Sequence, residues 1–303
     1  TAYECKLSFV FDPGEGLYGL GSHEEGFGNL RGKSREMYQH NMKAVVPLLL
    51  STKGWGLLMD LGCLMTFHDD PNGSYLWADC ADEMDVYFLW GGVESVYRQY
   101  AALTGPAPLL PKYAFGYVQS KERYKDAAEL ISVVKEYRRR QLPLDVIVQD
   151  WRSWPEGQWG YKIFDETRFP DPQALTDELH AMGAKMMLSI WPSMQGDENE
   201  NRKEMLENGC MLGNRTIYNA FRDKARELYW KQAEEGLFRY GVDAWWCDCT
   251  EPFEADWFGS EPMTPEDRMF FDTAEFKRYI DPAMVNAYSI YHARGICEGQ
   301  RAK

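Results

Sequence analysis

Short apolar runs recur through the first hundred positions: "KLSFVF" at 6–11, "AVVPLLLST" at 44–52, "GWGLLMDL" at 54–61, "SYLWA" at 74–78 and "MDVYFLWGG" at 84–92. Turn-forming segments such as "DPGEG" at 12–16 and "DDPNGS" at 69–74 separate them. Gly, Pro, Asn and Asp supply the backbone angles a chain reversal needs. The pattern predicts an antiparallel β-sandwich over residues 1–104. The stretch "LTGPAPLLPKY" at 103–113 carries Pro106, Pro108 and Pro111, which makes it the expected linker.

From residue 105 the rhythm changes. "YAFGYVQS" at 113–120 reads as a strand, and "YKDAAELISVVKEYRRRQLP" at 124–143 as a helix. Its apolar side is expected at Ala128, Ile131 and Val134, with Val133 and Tyr137. Strand "LDVIVQD" at 144–150, helix "PQALTDELHAMG" at 172–183 and strand "AKMMLSIW" at 184–191 follow. Asp171 is the expected N-cap, Pro172 opens the helix and Gly183 closes it. A longer helix at 220–241 then leads into "VDAWWCDC" at 242–249. Alternating strands and helices mean βα units on a parallel sheet. The expected fold is therefore α/β plus β, divided into residues 1–104 and 105–303.

In parallel α/β folds the chemistry sits at the carboxyl ends of the strands. Asp150, Trp191 and Asp248 stand at three such ends. Alternation puts Ala244, Trp246 and Asp248 on one face of the last strand, and Trp245, Cys247 and Cys249 on the other. The cysteines then face helices and act as small apolar groups. Asp243 starts the strand and is expected to be a solvated structural acid. Glu251, in the loop beyond, is expected to support Asp248. A strand-end aspartate also serves as a cap or an ion-pair partner, so the pattern alone leaves both readings of Asp248 open. A carboxylate nucleophile suits glycoside chemistry, and indole faces stack on sugar rings; Asp150–Trp151, Trp191 and Trp246–Asp248 supply both.

Composition narrows the partners. The chain has 303 residues, a net charge of −14 and eleven Trp. The acidic balance speaks against nucleic acid and against an anionic membrane. Seven cysteines without a CxxC pair fit reduced thiols in a cytoplasm, and no metal or other cofactor is expected. No signal peptide or membrane-length apolar run is visible. The oligomeric state stays open, a homo-oligomer included. The "YRRR" run at 137–140 reads as a solvated helix end, and the loop "GSHEEGFGNLRGK" with His23, Glu24 and Arg31 as a solvated hairpin loop.

Five segments together resemble glycoside hydrolase family 31, the retaining α-glucosidases and α-xylosidases. They are "LYGLGSHEEGFGNLRGK" at 17–33, "VPLLLSTKGWGLLMD" at 46–60, "LTGPAPLLPKYAFGYVQSKERY" at 103–124, "FDETRFPDPQALTDELHAMGAKMMLSIWP" at 164–192 and "DAWWCDCTEP" at 243–252. The resemblance implies a β-sandwich followed by the first half, strands 1–4, of a (β/α)8 barrel. It implies Asp248 as catalytic nucleophile, Asp150 as a ligand of the terminal sugar's hydroxyls, and Trp151, Trp191 and Trp246 around that sugar. "QDWRSW" and "WWCDCTEP" look more like the α-xylosidases, while Cys249 and Gln149 depart from the usual wording. The implied activity is a retaining exo-α-glycosidase acting on terminal α-linked sugars of oligosaccharides, first of all α-xylosides. An α-glucosidase or α-N-acetylgalactosaminidase-type specificity, or a carbohydrate-binding remnant without catalysis, is the alternative. The family's acid/base Asp follows several tens of residues after the nucleophile. No residue before Lys303 matches it, so the chain is expected to be an N-terminal fragment with little activity by itself.

Overall fold

The computed structural model describes residues 2–252 and 264–303. The chain forms two compact units, residues 1–108 with 253–288, and residues 109–252 with 289–303.

The first unit contains two four-stranded antiparallel sheets. One has the order β1-β7-β6-β3, from β1 (Tyr3–Phe9), β3 (Ser34–Met37), β6 (Met65–Asp70) and β7 (Gly73–Ala81). The other has the order β2-β4-β5-β8, from β2 (Leu17–Ser22), β4 (Ala44–Ser51), β5 (Trp55–Met59) and β8 (Val86–Trp90). Leu17, Leu49 and Leu57 of one sheet share a buried cluster with Met37, Phe67 and Leu76 of the other, the arrangement of a sandwich. Gly19 and Gly21 both have φ of +102°, and a Cβ on either would strike a carbonyl oxygen of β4. Only glycine lets the shifted register at this point close.

The outer face of the second sheet is covered by α1 (Val93–Thr104), through Val96 and Tyr100. The apolar pattern had assigned this stretch to the β-rich part without a helix. Val93, Val96, Tyr97 and Tyr100 favour strands by propensity, and packing on Leu48, Leu50 and Leu58 overrides it.

The second unit holds a four-stranded parallel sheet in the order β12-β11-β10-β9. Its strands are β9 (Val118–Gln119), β10 (Val146–Gln149), β11 (Lys185–Ile190) and β12 (Ala244–Cys247). Between them run α2 (Ala127–Arg139), α3 (Pro172–Ala181), α4 (Glu200–Glu207) and α5 (Asp223–Gly236). Four parallel strands with intervening helices match the expected βα order; the described sheet does not close on itself as a barrel. Caps set the helix starts. Asp126 accepts the Glu129 N–H at 2.8 Å, and Asp171 accepts the Ala174 N–H at 2.9 Å with Pro172 in the first turn. The buried side of α2 is Leu130 and Val134, while Ala128 is exposed. Val134 is buried as expected, and Leu130 takes the place expected for Ala128.

Two later helices complete the units: α6 (Pro265–Tyr279) in the first, and α7 (Tyr288–Arg301), nearly all of it in the second. Asn286 donates to the carbonyls of Met37 (3.0 Å) and Cys63 (2.7 Å) and accepts the Gln39 N–H (2.8 Å). Lys277 pairs with Asp79 of β7. These polar ties to the sheets carry no hydrophobic period, so nothing along the chain announces them.

Candidate active site

Strand register builds the site. In the parallel ladders Gln149 pairs with Leu188, and Ser189 with Trp246. Asp150, the next residue of the first strand, therefore stands level with Ser189 and Trp246. Two residues further on, Trp191 and Asp248 follow on the same face, because side chains alternate along a strand. The Asp248 N–H continues the ladder to the Ile190 carbonyl at 3.0 Å. Asp150, Ser189, Trp191, Trp246 and Asp248 thus share one face at the carboxyl end of the sheet.

The opposite face meets the helices. Trp245 lies edge-on to Trp230 of α5 at 6.2 Å and donates its indole N–H to Gln300 of α7 at 3.0 Å. Burial pushes the Cys247 thiol up to about 12, so it stays neutral and unreactive beside Tyr218 and Tyr229. Cys247 is a packing group, whereas the side chain of Cys249, past the end of the strand, hydrogen-bonds the Asp248 carboxyl, and no cluster of three metal-ligating side chains occurs among the described residues.

Asp150 is held by its neighbours. Its Oδ1 accepts the Ser189 hydroxyl at 2.6 Å and the Trp151 N–H at 2.9 Å. Asp248 is less well supplied. Its Oδ1 accepts the Cys249 N–H at 2.9 Å, with Cys249 in the left-handed region at φ +49°. Burial raises the Asp248 carboxyl above the usual range, and the like charge of Asp150 raises it further. Glu251 is raised as well, by burial first and then by the charge of Asp248. Its Oε2 is buried and has no hydrogen-bond partner among the described residues. Three carboxyls therefore interact at one end of the sheet, of which Asp248 and Glu251 are raised by burial and by a neighbouring charge, the kind of environment associated with functional sites.

The tryptophans divide by exposure. Trp246 is 46% exposed, whereas Trp191 is only 3% exposed. Trp191 is wedged edge-to-face against Trp154 (5.1 Å, 87°) and Trp159 (5.5 Å, 63°). Trp151 carries the Arg123 guanidinium over its ring at 4.5 Å, which occupies that face. Ser189, Trp154 and Trp159 escaped the sequence reading. Ser189 had a signal, a polar residue two positions before Trp191 in an apolar strand. Trp154 and Trp159 had one too, in the tryptophan density of "DWRSWPEGQW".

Asp243, at the other end of the last strand, is not solvated as expected. Its side chain is 14% exposed and binds His180 Nε2 (2.7 Å), Lys185 Nζ (2.9 Å) and the Met186 N–H (2.9 Å). Arg31 of the glycine-rich loop is also tied down, to Asp69 at 2.9 Å and to the carbonyls of Asp12 and Glu15. No helix among the described residues is long and apolar enough to cross a membrane.

Residues 107–303 match the model of the "Glycosyl hydrolases family 31 TIM-barrel domain". The chain is 38% identical to an α-xylosidase of Saccharolobus solfataricus, over 99% of its own length and 41% of that protein. It is 30% identical to an uncharacterized family 31 glucosidase of Pseudescherichia vulneris, over 99% of this chain and 57% of that one. A crystal structure of a GH31 α-xylosidase from a soil metagenome, complexed with xylose, superimposes with a TM-score of 0.85 at 31% identity, covering 99% of this chain and 44% of that one. The chain thus spans about half the length of these relatives or less. Matching sequence, matching fold and an aspartate pair at the strand ends agree, and the chain belongs to glycosyl hydrolase family 31.

Proposed function

We propose that this chain carries the nucleophile half of a retaining exo-α-glycosidase, with α-xylosides as first substrate. The observation that supports this best is the pairing of Asp150 and Asp248 on one face beside the exposed Trp246. Asp248 attacks the anomeric carbon and forms an aspartyl glycosyl-enzyme; water then releases the sugar with net retention. Asp150 positions the sugar. Its Oδ1 is already occupied by Ser189 and Trp151, which leaves Oδ2 for a substrate hydroxyl. Trp246 offers a ring for stacking. Glu251 lies in the loop that follows and supports the nucleophile.

The mechanism needs a second carboxyl group to protonate the leaving oxygen. Asp150, Glu251 and Asp248 are the carboxyls that meet at this end of the described sheet. The first is committed to holding the sugar and the second stands three residues from the nucleophile. We assign the acid/base to sequence outside these 303 residues, the four parallel strands being the first half of a (β/α)8 barrel. The chain alone is then expected to bind sugar without sustained turnover.

The test exploits a leaving group that departs without a proton. 5-Fluoro-α-D-xylosyl fluoride should glycosylate Asp248 in the isolated chain, and peptide mass spectrometry should find the adduct on that residue. An adduct on Asp150, or none at all, would refute the assignment. Sustained release of p-nitrophenol from p-nitrophenyl α-xyloside, at the rate of an intact glycosidase, would show that the missing acid is present. The relative named as a glucosidase favours glucose as the alternative sugar. Comparing aryl α-xyloside with aryl α-glucoside and α-N-acetylgalactosaminide in an active protein carrying this chain decides between them.

A further inference from the structure

In the sandwich unit, far from the chemistry of the aspartates in sequence, two thiols meet where β6 and β7 part. The ladder pairs Met65 with Ala78, and the Asp79 N–H reaches the Leu64 carbonyl at 3.1 Å. The next step of the register brings Cys63 opposite Cys80. We propose that Cys63 and Cys80 are an oxidisable pair, closed to a cross-strand disulfide by a small disulfide compound, with Cys80 the entry thiol and Cys63 the resolving one. The proposal does not depend on the glycosidase reading.

The register carries it first. Facing residues of an antiparallel pair alternate between hydrogen-bonded and non-hydrogen-bonded positions. The Asp79–Leu64 bond makes Cys63 and Cys80 a non-hydrogen-bonded pair, where Cα atoms come within about 4.5 Å. A disulfide accepts Cα separations of about 4.4–6.8 Å. Both side chains take the face of Met65 and Ala78, and both join the same core cluster. The Cys80 backbone N–H donates to the Cys63 thiol, so the sulfur already lies against its partner residue.

The second observation is that the site is fixed before any bond forms. The Cys63 carbonyl accepts Asn286 Nδ2 at 2.7 Å, and the Gly62 carbonyl accepts the Asn286 N–H at 2.8 Å. A Cβ on Gly62 would strike the Ala283 carbonyl. The third is an asymmetry of access. Cys63 is buried and Cys80 is partly exposed, and both are free thiols. An outside reagent therefore meets Cys80 first.

The chemistry is two exchanges. The Cys80 thiolate attacks one sulfur of the reagent, forming a mixed disulfide and releasing the first thiol. The Cys63 thiolate then attacks Cys80 Sγ, forming the protein disulfide and releasing the second thiol. The two protein thiols are oxidised, the reagent is reduced to two thiols, and the two thiol protons pass to them. Burial raises both protein thiols. Asp79, Asp281 and Asp82 raise Cys80 further, against the opposing charge of Lys277, which pairs with Asp79. Closure is therefore slow at neutral pH and favours a cationic reagent over an anionic one.

The test uses the reduced protein carrying this chain, treated with cystamine or with glutathione disulfide. Remaining thiols are alkylated, and chymotrypsin, which cuts after Phe67 and Tyr75, separates the two cysteines. Mass spectrometry should find the Cys63 peptide joined to the Cys80 peptide. Closure should be about threefold or more faster with cystamine, and should speed up about tenfold per pH unit between about pH 7 and 8. Cys63→Ala should stop at a mixed disulfide on Cys80, and Cys80→Ala should leave Cys63 unmodified; circular dichroism checks both folds. In the wild type alone, oxidation should raise the temperature at which the first unit unfolds by about 5 °C, since the link shortens the free chain of the unfolded state. Cys5 faces Ala78 from β1 and is the competing thiol. A Cys5–Cys80 link, a mixed disulfide that persists in the wild type, or two thiols that stay open to alkylation would overturn the pair. Faster closure with glutathione disulfide would overturn Cys80 as the entry thiol.

Discussion

Strand β12 is flanked by two aspartates, and their surroundings are opposite. Asp243, before the strand, is gripped by an imidazole, an ammonium and a backbone N–H. Burial works to raise its carboxyl, but the Met186 N–H, Lys185 and His180 outweigh that and hold it below its usual value. Asp248, after the strand, is raised by burial and by the like charge of Asp150, against which the Cys249 N–H and side chain are its donors. One strand therefore ends in a satisfied acid on one side and an under-supplied acid on the other. The satisfied acid at the amino end fits a stabilising role, and the raised acid at the carboxyl end fits the proposed nucleophile.

The largest difference between them is expected in activity. In an active protein carrying this chain, Asp248→Asn should lower kcat about 10⁴-fold or more, the range seen when a nucleophile is removed. Asp243→Asn should leave kcat within about threefold, measured where both variants are folded. Equal losses in the two variants would erase the distinction between the strand ends.

Stability should reverse the order. Asp243→Asn keeps the shape but removes the charge that His180 and Lys185 face, and leaves one amide N–H pointing at a donor. A cost of about 2–3 kcal/mol is expected, read from chemical denaturation. A loss under about 0.5 kcal/mol would mean that the cluster is a solvated surface feature after all.

How much of this contrast the chain announces depends on the range of the interactions. Period-two alternation places Cys247 opposite Trp246, because a strand's side-chain period is a local property; it does not reach Cys249, which lies past the strand's end at φ +49° with its side chain on Asp248. Caps such as Asp126 and Asp171 were legible for the same reason; each acts three residues away. The partners of Asp243 were not. His180 is 63 residues away and Met186 is 57, and no local period links them. The Arg123 guanidinium over the Trp151 ring is a similar case, a contact between two segments that no local period links. Helix α1 is hidden by its strand-favouring Val93, Val96, Tyr97 and Tyr100, and α4 by its shortness; both have narrow buried stripes. Only Val96 is buried in the first and Met205 in the second.

Acid should sharpen the comparison further. A carboxyl whose folded value is depressed adds stability above its unfolded value and loses it as pH falls through the folded one. Asp243 thus contributes fully at neutral pH, and its contribution fades as pH drops below its ordinary 3.8. The gap between wild type and Asp243→Asn should be widest near pH 7 and close progressively in acid. A constant gap across the series would show that the lost interaction is packing rather than charge.

The smallest effect is expected from Asp248, and with the opposite sign. Its folded value is raised, so its favourable contribution belongs to the protonated form, present below the unfolded value and lost as pH rises through the folded one. At neutral pH the ionised carboxylate is a cost to the fold. Asp248→Asn removes that charge without changing shape, and should stabilise the chain at pH 7. Solvent screens the partly exposed group, so the gain should stay below about 1 kcal/mol. It should vanish below pH 3.8, where aspartic acid and asparagine are both neutral. The two asparagine variants then move stability in opposite directions at pH 7 and converge on wild type in acid. A destabilised Asp248→Asn at neutral pH would place Asp248 with Asp243 among the structural acids, and the nucleophile assignment would lose its electrostatic support.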